Sequence, residues 1–232
     1  MARDADFSNL SLDLIFALPR QSLQQIREDV EAIVALQPEH LSIYGLTLEP
    51  QTPLHEMLQT GKLDVVDERL YADSYLLIQQ LLTDAGFEHY EISNFAQPGF
   101  RCRHNQVYWQ RRECLAAGCG AHGFFCSGWG ERWHVPADLP LYRHRLEAGE
   151  AALERLESFD RCSAMVETLY LALRTSDGLS RQDFYQRFGE YPEHEFPAQF
   201  FRLADRLRLD NNRWRFDLQG WLLYDHLISE FF

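Results

Sequence analysis

The chain has 232 residues, of which 46% are hydrophobic and 25% are charged, and its formal net charge at pH 7 is −13. This composition is ordinary for a globular protein, and the length suits one large domain or a domain with a small appendage. The negative charge argues against a nucleic-acid backbone as the main partner, because phosphate binding needs clustered positive charge.

The sequence shows no membrane or export signal. No stretch approaches the ~20 consecutive apolar residues that cross a bilayer. The first six residues include Asp4 and Asp6 and lack the apolar core of a signal peptide. We therefore expect a cytoplasmic protein without a transmembrane segment.

The cysteines do not form a recognisable framework. Their number is odd, their spacing is irregular and no C-x-x-C pair occurs, so a disulfide set or a tetrahedral zinc site is poorly supported. Scattered reduced thiols are the better interpretation. The five cysteines are Cys102, Cys114, Cys119, Cys126 and Cys162.

Strands and helices alternate along the first part of the chain. The apolar run 12–18 ends at Pro19 and predicts a buried strand, and Ser22 can cap the helix that follows. Strand–helix–strand order predicts a parallel sheet with helices outside it. Three strands cannot close a barrel, and residues 118–125 are a candidate fourth strand. The predicted elements are strand 12–18, helix 23–36, strand 41–47, helix 67–85 and strand 88–93.

The pattern changes after about Phe159. Residues 161–174, 180–188 and 196–208 have the periodicity of short amphipathic helices, 213–217 that of an edge strand, and 220–232 that of a last helix. This order predicts a winged-helix-like module. Such modules often bind DNA, but residues 160–232 carry 9 arginines against 12 acids. That balance favours a protein-facing or lid-like module.

The most informative stretch is 104–109, which reads HNQVYW. It places an imidazole, an amide and two large aromatic rings within six residues. A neutral imidazole can bind iron, and flat rings can line the face or edge of a planar macrocycle. Taken alone, a histidine beside aromatic residues is more often a hydrogen-bonded structural residue.

Five motifs in order resemble the HemW group. HemW proteins are haem chaperones related to oxygen-independent coproporphyrinogen III oxidase, and both are radical S-adenosylmethionine (SAM) proteins. HNxxYW in particular points to HemW. The motifs are DLIFALP (13–19), HLSIYGLTLEPQTPL (40–54), HYEISNFA (89–96), CRHNQVYW (102–109) and GCGAH (118–122).

The resemblance implies an α/β fold in two parts. Residues 1–158 would be the C-terminal portion of a partial (β/α) radical-SAM-type barrel, including the HNxxYW segment. Residues 159–232 would be the small, mainly helical, winged-helix-like C-terminal domain of the HemW and HemN type.

Two hallmarks of the family are missing from the sequence. Members carry an early C-x-x-x-C-x-x-C motif, whose thiolates hold a 4Fe-4S cluster, and a glycine-rich SAM-binding stretch. Neither occurs here, so this chain does not ligate the cluster by that motif. We expect the C-terminal part of a HemW-like protein, from a truncated gene, a split gene or an excised fragment, with a reduced relative as the alternative.

The resemblance assigns three residues to SAM. It implies that Asp13 and Ile15 face SAM at the open end of the barrel, with the acid accepting from a ribose hydroxyl. The family has Gly where this chain has Ala17. Gly45 would let backbone approach the ligand closely. The alternatives are a capped or salt-bridged acid at Asp13 and a bulge or packing glycine at position 45.

The resemblance assigns the HNQVYW segment to haem. His104 would be the haem-associated residue and the candidate iron ligand, while Asn105, Tyr108 and Trp109 would shape the site. His122 in GCGAH is more typical of an anchor for the loop backbone. A further polar group, Glu91, Ser93 and Asn94, lies either near the SAM or haem site or at a strand end as hydrogen-bonding residues.

Three functional interpretations follow. The first is a haem-binding chaperone fragment that delivers haem to recipient proteins, with a separate N-terminal half as a further partner; the complete member would also bind SAM and the cluster. The second is a radical SAM coproporphyrinogen III oxidase-like enzyme of porphyrin biosynthesis. It could not act without the missing part, because SAM cleavage needs an electron from the cluster. The third is a partial barrel without a function of its own, with unpaired edges.

Overall fold

The computed structural model describes residues 2–232. The chain forms two compact units, a first that ends at Cys102 and a second, Arg103–Phe232. This division falls earlier than the boundary expected between residues 158 and 159, which stays a prediction. Each unit is described by itself.

The first unit begins, in the described residues, with a short 3-10 helix, Arg3–Ala5. The elements that follow it are β1 Ser11–Phe16, α1 Leu23–Ala35, β2 His40–Gly45, α2 Pro53–Gln59, α3 Glu68–Asp84, β3 Glu88–Glu91 and β4 Asn94–Ala96.

The strands of the first unit form one sheet in the order β1-β2-β4-β3. β1 and β2 are parallel, with Leu12 opposite Leu41, and α1 connects them. β4 runs antiparallel to both β2 and β3. The stretch predicted as one strand, 88–93, is therefore the first arm of a hairpin that turns at Ile92–Ser93. β3 runs in the same direction as β1 and β2, as expected, but the antiparallel β4 lies between β2 and β3, so the sheet is mixed and not purely parallel.

Local signals in the sequence explain the two long helices. Ser22 caps α1 and forms a reciprocal capping box with Gln25, and Asp67 caps α3. Gly86, with φ +90°, follows the end of α3. The two helices and the apolar face of the sheet form the core of this unit. Its buried apolar side chains include Ile26, Val30, Ile33, Leu41, Ile43, Tyr75, Ile78, Leu82 and Phe95.

The second unit begins with the HNQVYW segment, which is helical. Its elements are α4 Arg103–Trp109, β5 His122–Phe125, β6 Glu131–His134, α5 Leu139–Ala148, β7 Glu154–Ser158, α6 Arg161–Ala172, β8 Leu179–Ser180, α7 Arg181–Phe188, α8 Pro192–Glu195, α9 Pro197–Arg202, β9 Leu207–Asp210, β10 Arg213–Phe216, α10 Leu218–Leu222, α11 Tyr224–Ile228 and a 3-10 helix Ser229–Phe231.

Two antiparallel sheets organise the second unit, in the orders β5-β6-β7 and β8-β10-β9. The candidate fourth strand 118–125 thus contains β5, which pairs with β6 and does not extend the parallel sheet. The strand predicted at an edge, 213–217, is β10, which lies between β8 and β9. The helix predicted at 196–208 ends at Arg202, because its last residues begin β9.

Among residues 2–232, every helix is too short or too polar to cross a membrane.

Candidate functional site

Two of the three residues assigned to SAM, Asp13 and Ile15, lie on an exposed face of the first unit's sheet. Asp13 lies opposite Ser42, and Ile15 lies opposite Tyr44. Ile15 is 48% exposed and Tyr44 is 44% exposed. The prediction that this strand is buried is wrong, because only every second side chain of β1 faces the helices. Asp13 and Ile15 therefore share one accessible face.

A row of polar side chains crosses this face. The pairing places Ser42 opposite Asn94, and Asn94 opposite Glu91. Glu91 is fully buried, and its carboxylate accepts hydrogen bonds from the Asn94 side chain and the Ser93 backbone. The three polar residues expected at the strand end, Glu91, Ser93 and Asn94, thus form hydrogen bonds with one another. Asn94 Oδ1 is buried and accepts no hydrogen bond from the described residues.

His40 extends the row and was missed by the sequence reasoning. Its Nδ1 lies 2.8 Å from Ser11 Oγ, and its Nε2 lies 2.7 Å from Tyr90 Oη. Burial lowers the pKa of His40, and the nearby Asp13 and Glu91 partly offset that effect. The neutral imidazole therefore links β1 to β3. The separation of 50 residues from its tyrosine partner hides this link in the sequence.

Gly45 lies on the opposite face of the sheet from Asp13 and Ile15. A Cβ built on it would lie 2.7 Å from Cε2 of Tyr71. The Tyr71 ring also packs on Phe16, at 5.0 Å between ring centroids. Packing against α3 accounts for this glycine, and its contact with SAM stays a prediction. Ala17, which replaces the family's Gly, has φ +60°, a region that favours glycine.

Residues four apart on a helix lie on the same face, so α4 groups the HNQVYW side chains into two pairs, His104 with Tyr108 and Asn105 with Trp109. His104 is exposed, and its Nε2 lies 3.1 Å from Tyr108 Oη, with the rings edge to face. Tyr108 is 38% exposed. Burial raises the pKa of Tyr108, and the neighbouring Cys114 raises it further. This pair forms the accessible part of the motif.

The other pair, Asn105 and Trp109, is partly buried. The guanidinium carbon of Arg174 lies 4.6 Å from the centroid of the Trp109 ring, in cation–π geometry. Trp109 Nε1 is buried and donates no hydrogen bond to a described residue. The structure therefore brings His104 and Tyr108 together, while Trp109 packs against the C-terminal helical region.

His122 is exposed on β5, opposite His134 of β6. The two imidazoles stack at 5.8 Å between centroids. The expected role as an anchor for the loop backbone is not seen, because the side chain contacts the neighbouring strand. The preceding turn is tight, with Gly118 at φ +103° and Gly120 at φ +76°.

A cavity of about 240 Å³ adjoins the motif helix. Tyr108 and His122 line it together with Arg111, Arg112 and other residues. Arg111 is buried, and its guanidinium is held by Glu167 of α6. Sequence reasoning missed this cluster, although the arginine pair that begins two residues after Trp109 was a visible signal. The full lining is Tyr108, Arg111, Arg112, Cys114, His122, Gly123, Phe124, Arg132, Glu167 and Leu171.

One side chain of this region, the imidazole of His104, could bind a metal. In the tautomer in which His104 Nε2–H donates to Tyr108 Oη, Nδ1 keeps its lone pair for a metal. Within residues 2–232 no group of three or more histidine, cysteine or acidic side chains is placed to hold a metal ion directly.

These features define the class of protein, a mixed α/β protein with a mainly helical C-terminal part. The fold is similar to that of a structure titled "Coproporphyrinogen III oxidase (HemN) from Escherichia coli is a Radical SAM enzyme", with a TM-score of 0.74 over 99% of this chain. The sequence identity is 18%, and the match covers 56% of that chain.

The sequence comparisons point to HemW- and HemN-type proteins. The HemN C-terminal domain family matches residues 160–223. "Heme chaperone HemW" is 31% identical in Lactococcus lactis and 29% identical in Bacillus subtilis, each over 99% of this chain. A Danio rerio relative, "Radical S-adenosyl methionine domain-containing protein 1, mitochondrial", is 29% identical over 88% of it. The chain is similar to the C-terminal part of HemW- and HemN-type proteins. It spans about 60% of the length of the two bacterial relatives.

Proposed function

We propose that this chain binds haem through His104 and is the haem-holding part of a HemW-type haem chaperone. The observation that carries the proposal is the exposed imidazole of His104, paired with Tyr108 Oη at 3.1 Å within the HNxxYW helix. An accessible histidine whose second nitrogen is bonded to a neighbour is a common arrangement for a metal ligand. The relatives named as haem chaperones support the same assignment.

The other motif residues take supporting roles. Tyr108 orients the imidazole, and Asn105 and Trp109 on the inner face of α4 shape the site. Haem bound there would be passed to recipient haem proteins in the cytoplasm. Haem supplies the iron, and this chain supplies one nitrogen ligand and the surface around it.

We also propose that SAM binds to the exposed face of the first unit's sheet. Asp13 presents an accessible carboxylate that can accept from a ribose hydroxyl, and Ile15 and Tyr44 provide apolar contact beside it. The buried, unbonded Oδ1 of Asn94 lies in the same polar row and could accept a ligand donor. Gly45 contributes only through the backbone at the end of β2. We propose that the cluster and a reaction on SAM depend on a complete family member.

The alternative, an oxidase-like enzyme, has weaker support. It rests on likeness to a structure at 18% identity, which shows the fold alone. The absence of C-x-x-x-C-x-x-C from the 232 residues leaves the cluster without its usual ligands.

A haem titration followed by the Soret band tests the proposal. We expect His104→Ala to weaken haem binding at least tenfold, because the iron loses its nitrogen ligand. His144→Ala, which removes another exposed imidazole from the same unit, is the matched control and should change affinity less than threefold. Equal affinity for the parent and His104→Ala would contradict the assignment and make His104 structural. Circular dichroism confirms that each variant is folded.

Delivery is tested separately. Haem-loaded chain is mixed with an apo haem protein, and the shift of the Soret band follows transfer. Transfer faster than spontaneous haem release supports the chaperone, whereas transfer at the release rate leaves a binding protein without delivery activity.

A further inference from the structure

The cavity beside α4 has a charge opposite to that of the chain as a whole. Acidic residues outnumber lysine and arginine by 13 in the sequence. In the cavity wall, however, three arginines face one glutamate: Arg111, Arg112 and Arg132 against Glu167. The other lining residues add no acidic side chain and include apolar and aromatic side chains. Such a wall suits a ligand that combines an apolar body with negative charge.

Arg111 provides a buried donor at this wall. It is 4% exposed, and it is held by Glu167 and by the Trp129 backbone oxygen, which accepts from Nη2 at 2.8 Å. The guanidinium also lies over the Phe124 ring at 4.7 Å. Its Nη1 is buried and has no hydrogen-bond partner among residues 2–232. A buried guanidinium nitrogen without an acceptor is costly, and an anionic ligand oxygen would remove that cost.

Arg112 provides an accessible charge at the same wall. Its side chain is exposed, and within the described part of the chain it forms no hydrogen bond or ion pair. Arg132, in contrast, already forms an ion pair, because it donates to the carboxylate of Glu167 that also accepts from Arg111. Arg112 is therefore free to turn toward a ligand without breaking a contact.

We propose that this cavity is a carboxylate-binding pocket that receives the propionate groups of the haem held by His104. Tyr108 connects the two places, since it lines the cavity and its Oη lies 3.1 Å from His104 Nε2. Bidentate guanidinium groups match carboxylates in geometry. The volume of about 240 Å³ is below the ~300 Å³ at which pockets enclose a whole small ligand, so it suits one edge of the macrocycle. The inference rests on the haem-binding function proposed above.

The test compares haem with its dimethyl ester, in which both propionates are neutral. Both ligands are delivered in the same detergent and titrated into the parent chain, Arg112→Ala and Arg112→Lys. The parent should bind haem about tenfold more tightly than the ester, as one charge-assisted contact implies. Arg112→Ala should lose this preference, and Arg112→Lys should keep part of it. Arg143→Ala, on an exposed turn of α5, is the control and should behave as the parent.

Four outcomes decide the inference. A preference for haem that Arg112→Ala removes supports the pocket. Equal affinity of the parent for haem and ester, with His104 dependence intact, overturns the pocket and leaves the proposed function standing. Absence of haem binding by the parent overturns both. Inorganic phosphate that competes with haem and ester alike would show a general anion site and overturn the assignment to propionates.

Discussion

The Nε–H of Arg111 donates to Oε2 of Glu167, and the same carboxylate accepts from Arg132 through its other oxygen. Arg111 lies two residues beyond α4, and Glu167 lies on α6 in the region that matches the HemN C-terminal domain. One mostly buried carboxylate thus joins the end of α4 to β6 and to α6 of the second unit. Burial lowers the pKa of Arg111, while its bond to Glu167 acts in the opposite direction.

Glu167→Gln should therefore destabilise the second unit by about 3 kcal/mol, because removing one partner leaves a buried guanidinium without its counter-charge. All five tryptophans lie in this unit, so urea unfolding followed by tryptophan fluorescence measures the loss. Glu147→Gln, in an exposed pair with Arg143, should cost less than about 0.5 kcal/mol. A loss below about 1 kcal/mol for Glu167→Gln would show that the cluster does not hold the unit together.

Truncation of the two aromatic residues of HNxxYW should lower stability by different amounts. Trp109→Ala removes a partly buried ring and its contact with Arg174, and should lower stability by about 2 kcal/mol. Tyr108→Ala removes a more exposed ring and should cost less than about 1 kcal/mol. Chemical unfolding by urea checks both. Equal losses would contradict the division of α4 into an accessible and a packed face.

Local signals in the sequence were enough to predict the two long helices of the first unit. A hydroxyl or carboxyl cap before an apolar period fixes the start of a helix, and both Ser22 and Asp67 cap the predicted helices. The β3–β4 hairpin was missed because 88–96 contains neither glycine nor proline at its turn. A β-bulge between His89 and Glu91 further disturbs the alternation of that stretch.

The site was only partly predictable, and the reason is distance along the chain. Short motifs predicted His104 and Asp13 as site residues, because each lies within a few residues of the rest of its motif. The arginine cluster depends on a carboxylate 56 residues away, and the His40–Tyr90 bond spans 50 residues. Periodicity and spacing do not report such pairs, because a chain brings them together only through its tertiary fold.

Gln37 offers a stabilising substitution. It follows the end of α1 with φ +51°, its side chain is exposed, and its backbone N–H donates to Val34 O. Glycine adopts this left-handed conformation without steric cost, so Gln37→Gly should stabilise the first unit by about 1 kcal/mol. Gln80→Gly in the exposed interior of α3 is the matched control and should destabilise by about 1 kcal/mol. Circular dichroism during urea unfolding measures both, and a shift of the same sign in the two variants would rule out the explanation.

The first unit should lose stability in mild acid because of His89. Its ring stacks on Phe95 at 4.1 Å between centroids, and burial lowers its pKa from 6.5 to about 4. The folded state therefore holds His89 neutral, while the unfolded state takes up a proton near pH 6.5. The stability that this residue contributes is fully present above pH 6.5 and falls as the pH drops toward 4. The expected loss between pH 7 and pH 4 is about 3 kcal/mol.

His89→Phe tests this linkage, because phenylalanine can keep the stacking on Phe95 but cannot bind a proton. Urea unfolding by circular dichroism at several pH values from 7 to 4 should show a dependence about 3 kcal/mol smaller in the variant than in the parent. His144→Phe, altered at an exposed position of the second unit, should leave the parent's dependence in place. His89→Phe is expected to be less stable at pH 7, since it loses the contact of Nε2 with Ile92 O at 3.2 Å. A variant that loses as much stability as the parent on acidification would mean that other groups, with His40 the first candidate, govern the response.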